Sequence, residues 1–281
     1  MSLVVNTNVA SMNAQRSLMH SSRELQTSME RLSTGKKINS AADDAAGFAI
    51  AESMTAQIRG LSMAAKNASD GLSLLKVVEN ATNDVTDMLQ RIRELAVQAK
   101  SGTNSSGDVA NLQLEANALM DEITRVSDNT TFNGVAYIGA DADTISIQVG
   151  YNDNDSIDIQ TYSVNSMDLG LVTDADADGI NDPGEYLDIA SANALDSIST
   201  AINTVGGYKA EWGAGQNRLD YTVSNLMNVV EFTAAARSRI QDADFAVEAA
   251  RLAKSQVLQQ TGTAMLAQAN ASPQLAISLI S

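Results

Sequence analysis

The residues with the clearest metal-binding chemistry lie in the stretch DADADGINDPGE, residues 174–185. Its carboxylates alternate along the chain, a glycine follows them directly, and a glutamate closes the stretch. This spacing matches the twelve-residue calcium loop of an EF-hand, which surrounds the ion with oxygen ligands. The predicted calcium ligands are the side chains of Asp174, Asp176, Asp178, Asp182 and Glu185 and the backbone carbonyl of Ile180.

The stretch also departs from an EF-hand. Asn181 stands where an apolar residue is usual, Pro183 is unusual there, and no flanking helices are predicted. The loop is therefore more similar to the helix-free aspartate loops of secreted calcium-binding repeats. The alternative is a hydrophilic loop without a metal, since aspartate-rich segments produce such spacing by chance. Five carboxylates without a basic neighbour repel one another, which favours a bound calcium ion.

Charge is distributed unevenly along the chain of 281 residues, whose net charge is −16. Between Arg125 and Lys209 there is no lysine or arginine, and this span holds thirteen aspartates and one glutamate. Such an acidic chain is not expected to bind nucleic acid or an anionic membrane, because both attract basic surfaces. The absence of cysteine excludes disulfides and thiol catalysis, and the single histidine, His20, leaves little room for histidine-based catalysis.

The sequence contains no enzyme motif. It lacks a Ser/His/Asp set, a P-loop, a glycine-rich dinucleotide turn and an HExxH pattern, so we predict that the protein is not an enzyme. No apolar run reaches the length of a membrane span. The first residues lack the basic start and apolar stretch of a cleavable signal peptide, so export is expected to use a route without one.

A seven-residue spacing is present at both ends of the chain. The residues that recur at this spacing are Leu18, Leu25 and Leu32 near the N-terminus and Phe245, Leu252, Gln259 and Leu266 near the C-terminus. Such a repeat places one side chain every two turns on a single helical seam, as in coiled coils. Polar residues interrupt the seams. We therefore predict that the two ends pack together, and against other copies of the chain.

Glycines and capping residues predict where the helices begin and end. The first helix is expected to end near Gly35, and Asp43 or Asp44 to cap the second. The second helix is expected to break at NASDG, residues 67–71, and a later helix to turn at the glycine pair 206–207.

Strand patterns occur only in the middle of the chain. Residues 144–149 and 156–162 alternate apolar and polar side chains, and the NDND segment between them predicts a hairpin turn. A further strand is predicted at YLDIA, residues 186–190. The predicted fold class is mainly α, a long helical bundle or coiled coil formed by the N- and C-terminal segments, with a small insert containing a β-hairpin.

Five long stretches resemble the terminal regions of bacterial flagellin. Three resemble its N-terminal part: MSLVVNTNVASMNAQRSL, ERLSTGKKINSAADDAAGFAIAESM and LQRIRELAVQA. Two resemble its C-terminal part: QNRLDYTVSNLMNVVE and AARSRIQDADFAVEAARLAKSQVLQQTGTAMLAQAN. The resemblance covers about residues 1–165 and 190–281 and leaves only the acidic loop region unassigned.

The resemblance implies a layered domain organisation. In flagellins the two ends pair as a coiled coil that lines the channel of the filament, a helical rod surrounds this core, and the variable middle faces solvent. Here it implies an inner core over 1–40 and 240–281, a rod with a β-hairpin over 41–165 and 190–239, and a short variable outer loop over 166–189.

The resemblance also implies function and partners. The chain is expected to be a structural subunit of the flagellar filament that self-assembles into a helical tube for swimming motility, in the extracellular flagellum. Expected partners are a flagellin-specific export chaperone that binds residues 245–270, the filament cap and the hook-associated proteins. Two alternatives remain: a hook–filament junction protein, which shares the helical ends, and a secreted calcium-dependent adhesin.

In the stretch LQRIRELAVQA, Gln90, Arg93, Glu94 and Val97 share one helix face. The resemblance implies that this face forms contacts within the filament. In the family, animal Toll-like receptor 5 recognises the same region. The residues that match the receptor-contacting motif are Gln90, Arg91, Glu94, Leu95 and Glu115.

Two positions depart from the flagellin pattern. Trp212 stands where leucine is usual, and Gly215 stands where a larger apolar residue is common. A larger side chain close to a missing one predicts local repacking, with the tryptophan in a core or subunit contact rather than a ligand site.

Overall fold

The computed structural model describes residues 7–139, 141–173 and 185–278, with side-chain exposure up to residue 272. Within these residues the regular structure consists of helices and one two-stranded sheet. The elements are α1 Val9–Thr34, α2 Ala45–Ala99, α3 Ser106–Asn129, β1 Thr144–Gln148, β2 Ser156–Gln160, α4 Ala194–Gln241 and α5 Phe245–Ser278. The prediction of a mainly α fold with a small β-hairpin is confirmed.

The chain divides into two compact units. Unit 1 comprises Met1–Ile58 and Glu231–Ser281, and unit 2 comprises Arg59–Val230. Unit 1 contains nine basic and nine acidic residues, whereas unit 2 contains nine basic and 25 acidic residues. The whole net charge therefore belongs to unit 2. The limits of the inner core and the rod given above stay predictions.

In unit 1, α1 and α5 pack antiparallel along a heptad seam. The least exposed residues recur at alternating steps of three and four. On α1 they are Ser11, Ala14, Leu18, Ser21, Leu25, Ser28 and Leu32. On α5 they are Glu248, Leu252, Ser255, Gln259, Gly262, Leu266 and Ala269. The predicted seven-residue repeat is confirmed for both helices, except that Phe245 is 59% exposed.

The predicted boundaries between α1 and α2 are confirmed. Gly35 ends α1 in the left-handed conformation, φ 70°, and its amide donates to the carbonyl of Arg31 at 2.9 Å. Asp44 starts α2, because its Oδ1 accepts the amide of Gly47 at 3.0 Å. Asp43 instead holds the preceding turn: hydrogen bonds from the backbone amides of Ser40 and Asn39 lower the pKa of its carboxyl.

Unit 2 contains a continuous apolar core between α2, α3, α4 and the hairpin. The hairpin is antiparallel, with Ile147 opposite Ile157. A capping box at Ser105 and Asp108 starts α3. The fully buried large side chains of the core include Leu75, Leu89, Ile92, Leu95, Met120, Ile123, Ile138, Leu171, Ile189, Ile198, Trp212 and Leu219.

The predicted break at residues 67–71 is wrong, because α2 continues through it. Gly71 is a packing residue rather than a turn residue: a Cβ there would overlap Cδ1 of Ile147 on β1. Gly60, which lies eleven residues and therefore about three helical turns before Gly71, has a similar role. A Cβ at Gly60 would lie 2.8 Å from the Cβ of Tyr151 in the hairpin turn. The two glycines therefore allow the hairpin to lie directly on α2.

The predicted turn at residues 206–207 is also wrong, because α4 continues through both glycines. On either side of the pair, Ile198, Val205 and Trp212 keep one apolar face buried. Burying this face outweighs the helix propensity lost at each glycine, which is about 1 kcal/mol. A Cβ at Gly206 or Gly207 would meet nothing within 4 Å.

Alanine substitutions at Gly207 and Gly60 should therefore have opposite effects on the free energy of unfolding of unit 2. Gly207→Ala is expected to raise it by about 0.5–1 kcal/mol, because the helix gains propensity without a clash. Gly60→Ala should lower it, because Tyr151 must move. Thermal unfolding of the monomer, followed by the fluorescence of Trp212, measures both changes. Shifts of the same sign would contradict this explanation.

Candidate functional site

The α1–α5 pair differs from a self-sufficient helical pair, because polar residues interrupt its leucine seam and large apolar residues lie exposed outside it. Its buried residues include Ser11, Ser21, Ser28, Glu248 and Ser255. Large apolar side chains on the same helices are 40–65% exposed: Val9, Met12, Met19, Met29, Phe245, Val247, Val257, Leu258 and Met265. We call these residues the α1–α5 apolar surface. An isolated pair would bury such side chains and expose the serines.

A buried carboxylate fixes the register of the two helices. Glu248 is 4% exposed, and its Oε1 accepts from Nη1 of Arg31 at 3.2 Å and from Nη1 of Arg251 at 2.7 Å. Its Oε2 accepts from Oγ of Ser28 at 3.3 Å. Sliding α1 along α5 would separate the buried carboxylate from these partners, which costs free energy and therefore disfavours other registers. At the other end of the pair, Nδ2 of Asn8 donates to the carbonyl of Ala269 at 2.7 Å.

Four of the five residues predicted for receptor recognition form one surface cluster on α2 and α3. Arg91 lies at its centre. Its Nη2 is 2.8 Å from Oε1 of Glu115, and its Nη1 is 3.0 Å from Oε2 of Glu94. The hydrogen bonds that the guanidinium donates to Glu115 and Glu94 raise its pKa above the usual range. Gln90 is exposed beside them.

The fifth residue, Leu95, lies elsewhere. Its side chain is fully buried in the core of unit 2, where it helps to hold α2 beneath the cluster. The predicted shared face of Gln90, Arg93, Glu94 and Val97 lines a shallow groove together with Ile202 of α4.

The predicted calcium loop lies mostly outside the described residues, since these omit 174–184 and include only Glu185 of its ligands. The described flanks are held together. Val172 and Tyr186 form an isolated β-bridge, and the amide of Thr173 donates to the carbonyl of Glu185 at 2.9 Å. The strand predicted over 186–190 is therefore wrong, since only this bridge forms there. Within the described ranges, no group of three acidic or histidine side chains is arranged to hold a metal.

Trp212 forms the expected core contact. The indole is 1% exposed, and its Nε1 donates to the carbonyl of Gln160, at the end of β2, at 3.0 Å. One turn earlier on α4, Tyr208 stacks on Tyr162 with ring centroids 4.0 Å apart. A hydrogen bond to Glu211 raises the pKa of the Tyr162 phenol. This tyrosine pair was not predicted from the sequence, although the four-residue spacing of Tyr208 and Trp212 already places both on one face of α4.

Gly215 lies three residues after Trp212 on α4 and faces Leu75 and Ile159. A Cβ there would lie 3.5 Å from Cδ1 of Leu75, which is ordinary contact distance, so a larger apolar side chain would crowd Leu75.

Among the described residues, no helix is both long enough and apolar enough to cross a membrane.

Comparisons with known proteins match both ends of the chain. Residues 5–138 match the bacterial flagellin N-terminal helical region, and residues 195–280 match the bacterial flagellin C-terminal helical region. A flagellin from Halalkalibacterium halodurans is 40% identical over 279 residues, covering 99% of this chain and all of the relative. The flagellar filament 33 kDa core protein of Treponema phagedenis is 38% identical over 290 residues, with 99% and 100% coverage.

A solved structure shares the fold. A putative flagellar hook-associated protein from Vibrio parahaemolyticus superposes with a TM-score of 0.57 and 14% identity, covering 71% of this chain and 100% of that one. At this identity the likeness concerns the fold alone.

Proposed function

Since this chain belongs to the bacterial flagellin family and is a structural subunit of the flagellar filament, we propose that it assembles through the α1–α5 apolar surface. Flagellins form the extracellular filament by self-polymerisation. The observation that supports this surface is the exposure of methionines, valines, Leu258 and Phe245 on a helical pair that buries several serines and a glutamate.

The free energy available from this surface is sufficient for association. Complete burial of one large apolar side chain contributes about 1.5–3 kcal/mol. Association costs roughly 4–15 kcal/mol of lost translational and rotational freedom. Partial burial of the nine side chains of the surface is enough to offset this cost. A filament also requires two different complementary faces, because a contact between identical faces closes into a dimer.

Seeded polymerisation tests the assembly proposal. Monomers added to short filament seeds should elongate them into helical tubes visible by negative-stain electron microscopy. A chain that stays monomeric under these conditions would contradict it. The same experiment separates the proposal from a secreted adhesin, which should keep its fold and its binding activity as an isolated monomer. A hook–filament junction protein is not supported, since relatives of nearly equal length are flagellins.

Export and capping follow from the same surface. We propose that a flagellin-specific export chaperone covers the C-terminal helix, residues 245–270, before assembly, because its apolar side chains are exposed there until neighbouring subunits bury them. The filament cap and the hook-associated proteins are proposed to contact the first and last subunits through the same helices.

We also propose that the Arg91 cluster is recognised by animal Toll-like receptor 5, through Gln90, Arg91, Glu94 and Glu115. All four side chains are exposed, and the two ion pairs hold the guanidinium in one orientation. Leu95 is buried, so we assign it a supporting role beneath the cluster.

Arg91→Ala is expected to weaken binding of the monomer to the receptor ectodomain about 30-fold or more, because arginines central to an interface contribute about 2 kcal/mol or more. Surface plasmon resonance measures the change. Arg125→Ala is the matched control, since Arg125 forms a similar exposed pair with Glu122 on α3. Equal effects of the two variants would contradict the assignment.

For the acidic loop we propose a calcium site on the outer surface of the filament. Its support is the ligand spacing in the sequence and the bridge between Val172 and Tyr186, which holds the loop ends together and so reduces the entropy lost on ordering. An affinity on the order of 10⁻⁴ to 10⁻³ M, typical of extracellular modules, would suffice.

Calcium titration by isothermal calorimetry should detect one site in the wild type and none in Asp178→Ala. The reason is that the carboxylate of Asp178 is one of the predicted oxygen ligands. Asp168→Ala, an exposed aspartate outside the loop, serves as the control and should bind calcium like the wild type. Equal responses of the wild type and Asp178→Ala would contradict the calcium site.

A further inference from the structure

Helices α1 and α5 enclose a groove of about 540 Å³ beside their seam. Its charged lining is mostly basic. Arg23, Arg31, Arg251 and Lys254 contribute four positive charges, against Glu24 and Glu248. Unit 1 as a whole has equal numbers of basic and acidic residues, so the excess of positive charge is local to the groove.

The acidic residues of the groove do not neutralise all of the basic ones. Glu248 already accepts from Arg31 and Arg251. Glu24 lies 3.6 Å from Nδ1 of His20. In the part of the chain that the structure describes, no carboxylate lies within ion-pair distance of Arg23 or Lys254.

Arg31 also has an unused donor. Its Nη1 bonds Glu248, but its Nε is buried and has no acceptor among the described residues. A guanidinium presents its N–H groups in a planar fork that matches a carboxylate. A buried N–H without an acceptor raises the free energy of the folded chain. Another protein surface that covers the groove would lower this free energy only if it supplied an acceptor.

The surroundings of the groove indicate that another subunit covers it. Val247, Arg251, Lys254 and Leu258 follow one face of α5 at steps of four, three and four. The two apolar residues belong to the exposed α1–α5 apolar surface. A neighbour that buries them must also cover the basic residues between them.

We propose that the groove receives a carboxylate from a second copy of this chain, and that this carboxylate is Glu30. Helices α1 and α5 contain three acidic residues: Glu24, Glu30 and Glu248. Glu30 alone is exposed and has no ion-pair partner within the described residues. Glu30 lies seven residues after Arg23, on the same side of α1 but two turns further along it and outside the groove lining. A neighbour shifted along the helix axis can therefore insert its Glu30, and this contact repeats from copy to copy without closing. This inference rests on the proposed filament assembly.

Charge reversal in seeded polymerisation tests the pairing. Arg23→Glu is expected to raise the critical monomer concentration about tenfold or more, since it places a carboxylate opposite Glu30. Arg16→Glu is the matched control: it lies seven residues earlier on the same helix, is exposed and is outside the groove, so it should change the concentration less than threefold.

The decisive variants exchange the two charges. Glu30→Lys should be as defective as Arg23→Glu, and the double variant Arg23→Glu/Glu30→Lys should elongate seeds of its own kind at nearly the wild-type concentration. Lack of an effect of Glu30→Lys, or lack of rescue in the double variant, would overturn the pairing. The pairing would also be overturned if inorganic phosphate, at constant ionic strength, stabilised wild-type filaments but not Arg23→Glu filaments. That result would identify the groove as an oxyanion site. Failure of the wild type to polymerise would contradict filament assembly instead.

Discussion

Replacing Trp212 by alanine is expected to lower the free energy of unfolding of unit 2 by about 3–5 kcal/mol, because it leaves a large cavity in a closely packed core. The indole is fully buried and joins α4 to the end of β2 through its hydrogen bond to Gln160. For a unit of this size the melting temperature should fall by about 6–20 °C. Thermal unfolding of the monomer followed by circular dichroism measures the shift.

Two further substitutions separate the causes of that loss. Trp212→Phe keeps an aromatic ring but removes the indole N–H, and should cost about 1–3 kcal/mol, since the carbonyl of Gln160 loses its partner. Tyr221→Ala removes an aromatic residue of the same helix that is 77% exposed, and should change stability by less than about 0.5 kcal/mol. If Trp212→Ala were no more destabilising than Tyr221→Ala, the anchoring role of the indole would be wrong.

The double variant Leu258→Glu/Met265→Glu is expected to abolish filament growth on seeds. Both side chains are exposed on α5 and are seven residues apart, so they lie on one face. Burying two unpaired carboxylates in place of apolar groups costs several kcal/mol at each contact, which raises the critical concentration about 100-fold or more. Sedimentation of polymer from monomer measures this concentration.

Two controls test whether the loss arises from the interface. Gln260→Glu/Gln268→Glu adds the same two charges at exposed polar positions of α5 and should have a much smaller effect. Unit 2 of the double variant should unfold like the wild type, because both substitutions lie in unit 1. Normal elongation by Leu258→Glu/Met265→Glu would show that this part of the surface faces solvent in the filament.

Local signals in the sequence predicted most of the element boundaries correctly. Gly35, Asp44 and the alternating segments around the NDND turn each act within a few residues, so neighbours in the chain are enough to decide them. The heptad positions were visible for the same reason, since a period of seven requires no knowledge of the partner helix.

The predictions at the glycines were wrong because a glycine can either end a helix or lie inside a continuous one. At Gly71 the absence of a Cβ makes room for Ile147, which lies more than seventy residues further along the chain. At Gly206 and Gly207 the buried face of α4 maintains the helix against local propensity. Both outcomes depend on contacts between distant segments, which a local pattern does not contain. The burial of Leu95 was missed for the same reason.

Residue type and spacing along the chain were enough to predict the family, the helical ends, the hairpin and the acidic middle of this protein. Which side of each helix is buried depends instead on contacts between distant segments, so it became evident only from the fold. In the α1–α5 pair, serines and Glu248 lie on the seam together with leucines, and nine other large apolar residues remain exposed outside it. A heptad pattern identifies the positions that face a partner helix but not which partner packs against them. In a filament subunit, other copies of the chain bury much of the apolar surface.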